Sequence, residues 1–325
     1  MKFGTIEGVT KPVSRIGQGC MMLKSGEGQP ESNRILDAAW RSGVRLFDHS
    51  STYGGGDCER AFGHWLRERG NREELVILAK GCHPLKGVKR VSPQLVREEV
   101  AGSLERFGVD SLDLWLFHRD DPAQPVGPLM ETLNELKADG KIHAFGGSNW
   151  THRRIAEANE YAYAHGLAPF TASSPNFSLA EQVASPWGDD CITISGPRNE
   201  EARAWYAEQG IGVLAWSSLA RGFLSGRIRR ENFEQVRDKF EDHTIRCYVT
   251  EDNWLRLDRA AELASERGLT VPQVALAFVL HQPMNMYALI GAYNDEEAQA
   301  NLAALEAELT SAEIDWLDLR SDTRE

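Results

Sequence analysis

Short apolar runs rich in β-branched and aromatic residues recur along the chain, each followed by a stretch whose apolar positions fall at helical spacing. SRIGQGC (14–20) precedes ESNRILDAAWRSG, in which Ile35, Ala38, Ala39 and Trp40 lie near one helical face. VRLFD precedes CERAFGHWLRERG, and LVILAK precedes SPQLVREEVAGSLERFG, where Ser92 and Pro93 are favoured opening residues of a helix. LDLWLFH leads to VGPLMETLNELKADGK, with Gly140 as its stop, and IHAFGGSN leads to THRRIAEANEYAYAHG. FTASSP leads eventually to NEEARAWYAEQG, IGVLAW leads after a long insertion to TVPQVALAFVLHQ, and YALIGA leads to NDEEAQANLAALEAEL.

Eight strand-then-helix units predict an α/β fold with a parallel sheet and helical crossovers, closed as a (β/α)8 TIM barrel. An open doubly wound sheet is the alternative, but IGQGCMML holds only the first half of the G-x-G-x-x-G turn that such a sheet uses for a dinucleotide. Three segments stand outside the eight units. The opening MKFGTIEGVTKPVSR predicts an N-terminal β-hairpin across the bottom of the barrel. The insertion between the seventh strand and its helix predicts a loop and then an extra helix from about Glu251 to Arg267. TSAEIDWLDLRSD predicts a terminal helix with a capping-box start at Thr310. No Pro/Gly/Ser-rich linker divides the chain, so residues 1–325 are expected to form a single domain.

Composition narrows the function classes. With 42% hydrophobic and 26% charged residues, the chain has ample apolar material for one large core. Its net charge of −12 opposes binding to nucleic acid, whose phosphates are held by Lys and Arg. The five cysteines are scattered, with no C-x-x-C pair and no zinc-ligand spacing, and read as reduced thiols. The start lacks the apolar core of a secretory signal, and no run of about 18 apolar residues follows. A cytoplasmic protein with no membrane partner is the expectation; the oligomeric state is not legible.

Catalytic side chains of such barrels sit at the C-terminal ends of strands and in the loops that follow. Asp48 ends the second strand, Tyr53 lies in the glycine-rich loop after it, Lys80 ends the third and His118 ends the fourth. These residue types suit the protonation of a carbonyl oxygen as hydride arrives, or the reverse. A phenol has a pKa of about 10, and a nearby ammonium favours its ionised form. Lys80 supplies that charge, Asp48 holds it, and His118 orients the substrate oxygen. No H-x-H or H-E-x-x-H spacing accompanies His49, so no metal is expected, although Asp48, His49 and His118 would be the ligand set of a barrel metallohydrolase. No G-x-S-x-G elbow is present for acyl transfer.

FDHSSTYGGGDCERAFGHWL, LAKG, LDLWLFHRDDP and GKIHAFGGSNW together resemble the signature segments of the aldo-keto reductase superfamily, and the likeness runs from about IGQGCM to NLAAL. The resemblance implies a barrel that binds NADP(H) or NAD(H) without a Rossmann domain and reduces an aldehyde or ketone, or oxidises an alcohol. It makes Tyr53 the general acid, Lys80 and Asp48 its tuning pair, and His118 the orienting group. Ser148 and Asn149 in GSN correspond to the carboxamide-binding pair, and Ser174 stands where a glutamine is usual. Trp216 takes the nicotinamide-stacking position, and Ser217, Leu219, Arg221 and Gly222 run along the pyrophosphate. LIGAYNDEEAQANLAAL resembles the adenosine-binding segment, with Gly291, Glu297 and Asn301 on it. Glu297 stands where NADPH users carry Arg, with Asp295 and Glu296 beside it. These carboxylates oppose a 2′-phosphate, while Arg221 or Arg227 offers positive charge, so both cofactors stay open.

Cys20, Met21, Met22, His83, Arg119 and Asp120 are the expected lining of the substrate mouth, with a contribution from SPWGDDCITISGP. Tryptophan beside acids and arginine fits a sugar-derived carbonyl as the small-molecule substrate. A redox-sensing regulatory subunit of the same fold, binding cofactor with little turnover, is the alternative.

Overall fold

A computed structural model describes residues 1–188 and 190–324. Among the described residues ten strands are formed: β1 (Phe3–Gly4), β2 (Val13–Ser14), β3 (Ile16–Gly19), β4 (Leu46–Asp48), β5 (Val76–Gly81), β6 (Leu112–Phe117), β7 (Ile142–Ser148), β8 (Ala172–Ser174), β9 (Gly212–Ala215) and β10 (Asn285–Ile290). Strands β3 to β10 pair in parallel and close into a barrel, β10 returning to β3 with Ala288 beside Ile16. Every strand-then-helix unit expected above is present, and the (β/α)8 barrel is the fold.

Helix starts follow from local capping. Ser92 accepts from the Leu95 amide at the head of Pro93–Phe107, and Thr250 accepts from Asn253 at the head of Glu251–Arg267. The Thr310 and Glu313 capping box opens Ser311–Leu317. One difference lies in the insertion: before Glu251 it carries a further helix, Asp242–Tyr248, and several short turns where the sequence suggests a loop. Thr244, Cys247 and Tyr248 are buried and supply the packing that holds this helix. Among the described residues, no helix is long and apolar enough to cross a membrane.

The two faces of each strand are used differently. Phe47, Ile77, Ala79, Trp115, Phe117, Phe145 and Val213 point outward and pack against the helices. Leu46, Val76, Leu78, Leu114, Leu116, Ala144, Ala172, Leu214, Tyr287 and Leu289 point inward and fill the barrel. This division is the period-two alternation of a β-strand.

The β1–β2 hairpin closes the bottom of that interior. Ile6, Val9 and Val13 join the inner cluster, and the Tyr287 hydroxyl donates to the Thr5 carbonyl at 3.0 Å. Gly212, at the start of β9, is required by this plug, since a Cβ there would stand 2.8 Å from Ile6.

Candidate active site

The same inward-facing register that places Leu46, Leu78 and Leu116 in the dry layer places Asp48, Lys80 and His118 two residues further along, toward the C-terminal ends of their strands. Backbone pairing continues past the strand ends: His49 donates to Leu78 O at 2.8 Å, Ser51 to Lys80 O at 3.0 Å, and His118 to Gly81 O at 2.8 Å. Asp48 and Lys80 are buried and ion-paired, with the Lys80 ammonium donating to the Asp48 carboxylate. Gly54, Gly55 and Gly56 have φ of 57°, 62° and 88°, a succession that side-chain-bearing residues avoid. This tight turn starts the helix Asp57–Arg69 immediately after Tyr53 and leaves Tyr53 half-buried at the rim.

The four side chains meet at one mouth. The Lys80 nitrogen lies 5.6 Å from the centre of the Tyr53 ring, and the Tyr53 and His118 rings stand edge to face at 5.8 Å. Nδ1 of His118 shares a 2.9 Å hydrogen bond with Ser50 Oγ. His83 packs edge-on against His118 at 4.6 Å, its Nδ1–H donating to Pro84 O at 2.8 Å.

Electrostatics set the resting protonation. Burial pulls the Lys80 amine down, but attraction to Asp48 and the nearby Tyr53 outweigh it and hold the ammonium above its usual range. Burial, followed by the charges of Lys80 and Arg119 and by His83, holds His118 well below the usual imidazole range, so its ring is neutral. Burial also raises Tyr53; Lys80 opposes this without overcoming it. The expectation of a phenol made more acidic is therefore corrected: the resting hydroxyl keeps its proton more firmly than a free tyrosine. Burial is the contribution that the sequence does not display.

Other expected residues divide into two groups. Arg119 is buried beside His118, donating to the His118 carbonyl at 2.8 Å and to Cys191 Sγ at 3.3 Å, with Asp190 at 3.4 Å. Met22 is half-buried next to Gly291, and Met21 is 59% exposed. Cys20 is fully buried behind the wall, and Asp120 is turned to Arg154, so neither lines the mouth. His49 points to the opposite face from Asp48, packed between Phe62 and Phe107, so Asp48, His49 and His118 form no ligand set. Within SPWGDDCITISGP, Asp189 lies outside the described residues.

A second line of residues runs from the mouth along the ends of β7 to β10. Ser148 Oγ donates to Ser174 O at 2.9 Å, and the Asn149 amide group donates to His118 O at 3.2 Å and to Ser148 Oγ at 3.0 Å. Ser174 is fully buried and its hydroxyl donates to Leu214 O at 2.8 Å, which commits it to the wall. Trp216 is half-buried with its indole N–H unpartnered. After it the backbone is left-handed at Ser217 (φ 54°), Ala220 (50°), Arg221 (53°) and Gly222 (94°), in a tight turn closed by Ala220 N–H to Ser217 O at 2.7 Å and Gly222 N–H to Leu219 O at 3.0 Å. Arg221 is paired with Glu241 and stacked on Trp187 at 4.5 Å, while Trp187 lies 5.7 Å from Trp216.

Glu297, in the helix Asp295–Leu302, accepts from the Tyr293 amide at 3.0 Å and faces the exposed Arg227 at 3.5 Å. Asn301 ends the same helix, half-buried. Trp187 and Asp190 belong to SPWGDDCITISGP, the segment expected at the mouth, whereas Ser50 is absent from the sequence expectations, its local signal being one of three hydroxyls between Asp48 and Tyr53.

A sequence profile of the Aldo/keto reductase family matches residues 15–319. Among curated proteins, the chain is 30% identical over 321 residues to aldo-keto reductase str7 of Strobilurus tenacellus, spanning 93% of this chain and 87% of the relative. It is 27% identical over 309 residues to the uncharacterized oxidoreductase YrpG of Bacillus subtilis, spanning 91% and 89%. It is 26% identical over 303 residues to norsolorinic acid reductase of Aspergillus flavus, spanning 89% and 71%.

Proposed function

The chain belongs to the aldo/keto reductase family, and from that premise we propose that it is a nicotinamide-dependent enzyme interconverting a carbonyl and an alcohol, with Tyr53 as general acid and base. The observation that carries this reading is the buried Lys80–Asp48 pair beside Tyr53 and neutral His118 at one barrel mouth.

The residues along β7 to β10 fit a dinucleotide. The left-handed turn from Ser217 to Gly222 suits a pyrophosphate, and the half-buried ring of Trp216, with its N–H unpartnered, suits the nicotinamide end. Ser148 and Asn149, at the end of β7, lie on the same line of strand ends. When bound, the cofactor supplies or takes the hydride. Tyr53 donates its proton to the carbonyl oxygen as negative charge gathers there, and the Lys80 ammonium stabilises the phenolate left behind. Asp48 keeps Lys80 in place, and His118 offers its free Nε2 to the same oxygen. A phenol held above its ordinary value suits reduction, because it stays protonated until a far more basic oxygen forms.

Glu297 disfavours a 2′-phosphate, Asp295 is paired with Arg41 at 2.9 Å, and Arg227 is already drawn to Glu297, so we propose use of NADH alongside NADPH. At the rim, Met21 (59% exposed), Leu85 (58%), Val88 (65%) and Trp187 (43%) present apolar surface. That collar favours a carbonyl on a molecule with an apolar or aromatic body; a sugar-derived carbonyl, handled by Arg119 and Asp190, is the second class. The test is titration with NADPH and NADH followed by turnover on aromatic ketones, aliphatic aldehydes and sugar aldehydes. Binding of a reduced cofactor with turnover of one carbonyl class is expected. No binding of either cofactor would contradict the proposal, and binding without turnover would favour a regulatory subunit.

A further inference from the structure

Ser50 and Thr52 have no part in the chemistry just described, yet they form a hydrogen-bonded line ending on its orienting group. Ser50 is fully buried (0% exposed). Its Oγ lies 2.9 Å from His118 Nδ1 and 2.9 Å from Thr52 Oγ1, and the Thr52 amide donates to it at 3.3 Å. Thr52 is exposed, so the line runs from solvent to the imidazole.

A serine hydroxyl has one proton, and its direction decides which nitrogen of a neutral histidine carries the other. If Ser50 donates to Nδ1 and Thr52 donates to Ser50, the His118 proton sits on Nε2. If Nδ1–H donates to Ser50 and Ser50 donates to Thr52, Nε2 presents a lone pair. Both arrangements satisfy the hydroxyls, but only the first leaves a donor for a carbonyl oxygen; a lone pair would repel it. Burial and the charges of Lys80 and Arg119 keep the ring neutral, so protonating both nitrogens is not an inexpensive way out.

We propose that the Thr52–Ser50 hydroxyl line holds His118 in the tautomer with its proton on Nε2, which makes Ser50 a positioning residue for carbonyl binding. The choice between the two arrangements rests on the function proposed above; the tautomer itself can be read without substrate.

The experiment is long-range 1H–15N correlation of histidine side chains in the full chain, the His118 signals being assigned by their loss in His118→Asn. Nδ1 is expected to show the shift of an unprotonated nitrogen and Nε2 that of a protonated one. Ser50→Ala should blur that difference and lower kcat/KM about tenfold through the carbonyl substrate, with cofactor affinity unchanged. Ser50→Thr should restore both, and Thr52→Val, altered at an exposed side chain, should give a weaker version of the Ala effect. A proton on Nδ1 in the wild type, or unchanged His118 shifts in both Ser50→Ala and Thr52→Val, would overturn the proposal. Failure to bind either reduced cofactor in a separate titration would instead count against the proposed function, with the tautomer result standing by itself.

Discussion

The two ends of the barrel interior are built on the same strands and the same alternation, yet they hold opposite chemistry. At the bottom, Ile6, Val9, Leu46, Val76, Leu114 and Tyr287 make a dry layer plugged by the hairpin. Two or four residues further along, Asp48, Lys80, His118 and Ser148 occupy the same inward register with charged and polar groups. Apolar burial of roughly 1.5–3 kcal/mol per side chain favours the first layer, while the second carries an ion pair and a neutral histidine out of water at a cost. The difference teaches where stability is made and where it is spent: the bottom layer supports folding, and the top layer carries a desolvation cost that the proposed chemistry would account for.

Lys80→Met would break the comparison most severely, since it strikes both sides at once. It leaves Asp48 buried without its partner and removes the charge beside Tyr53. A loss of about 3 kcal/mol in denaturant unfolding is expected, with turnover below detection. Unchanged stability would mean that the pair is not buried in solution. Leu114→Ala should do the reverse, costing about 2–5 kcal/mol of stability with the kcat of the surviving folded fraction close to wild type. A large fall in kcat with stability intact would show that the two layers are not separable.

Dependence on pH sharpens the contrast within the top layer. Because Tyr53 stands above its ordinary value, reduction, which needs the phenol, should be level through neutral pH and fall only in the strongly alkaline range. Oxidation, which needs the phenolate, should rise with pH across the alkaline range. Parallel profiles for the two directions would remove Tyr53 from the proton transfer. A separate sign applies to stability. His49 and His118 are both held well below the usual value, chiefly by burial, so the unfolded chain takes up protons first as pH falls. Their contribution is present above about pH 6.5 and is lost progressively below it, which acid unfolding of His49→Phe should blunt. The smallest effect expected is at the far end of the proposed cofactor line, where Glu297→Arg should shift the NADPH-to-NADH affinity ratio about tenfold toward NADPH. No shift would show that the segment from Gly291 to Asn301 does not meet the adenosine end.

The order of strands and helices was legible because it is written in local pattern. The apolar runs in VILAK and LDLWLFH mark strands but, being buried on both faces, not which side chains point inward, and the helix Glu251–Arg267 stands where its pattern placed it. The gathering of Asp48, Lys80 and His118 follows from knowing that strand ends share one mouth. What the sequence hid are contacts between loops distant along the chain. Ser50 meets His118, Arg119 meets Asp190 and Cys191, and Trp187 meets Arg221 and Trp216, and none of these pairs leaves a spacing to read. The orientation of His49 is implied by alternation with Asp48, although the loop that begins there conceals it. The Tyr53 shift depends on how much water the mouth excludes, a property of the assembled walls.

Substitution of Tyr53 by Phe tests the whole reading most directly, because it deletes one oxygen at the rim and leaves the ion pair, the barrel and the cofactor line in place. Dissociation constants for NADPH and NADH should match those of the wild type while kcat for carbonyl reduction falls by about 10²- to 10⁴-fold. Retention of wild-type turnover with cofactor bound would contradict the account, since some other group would then be delivering the proton.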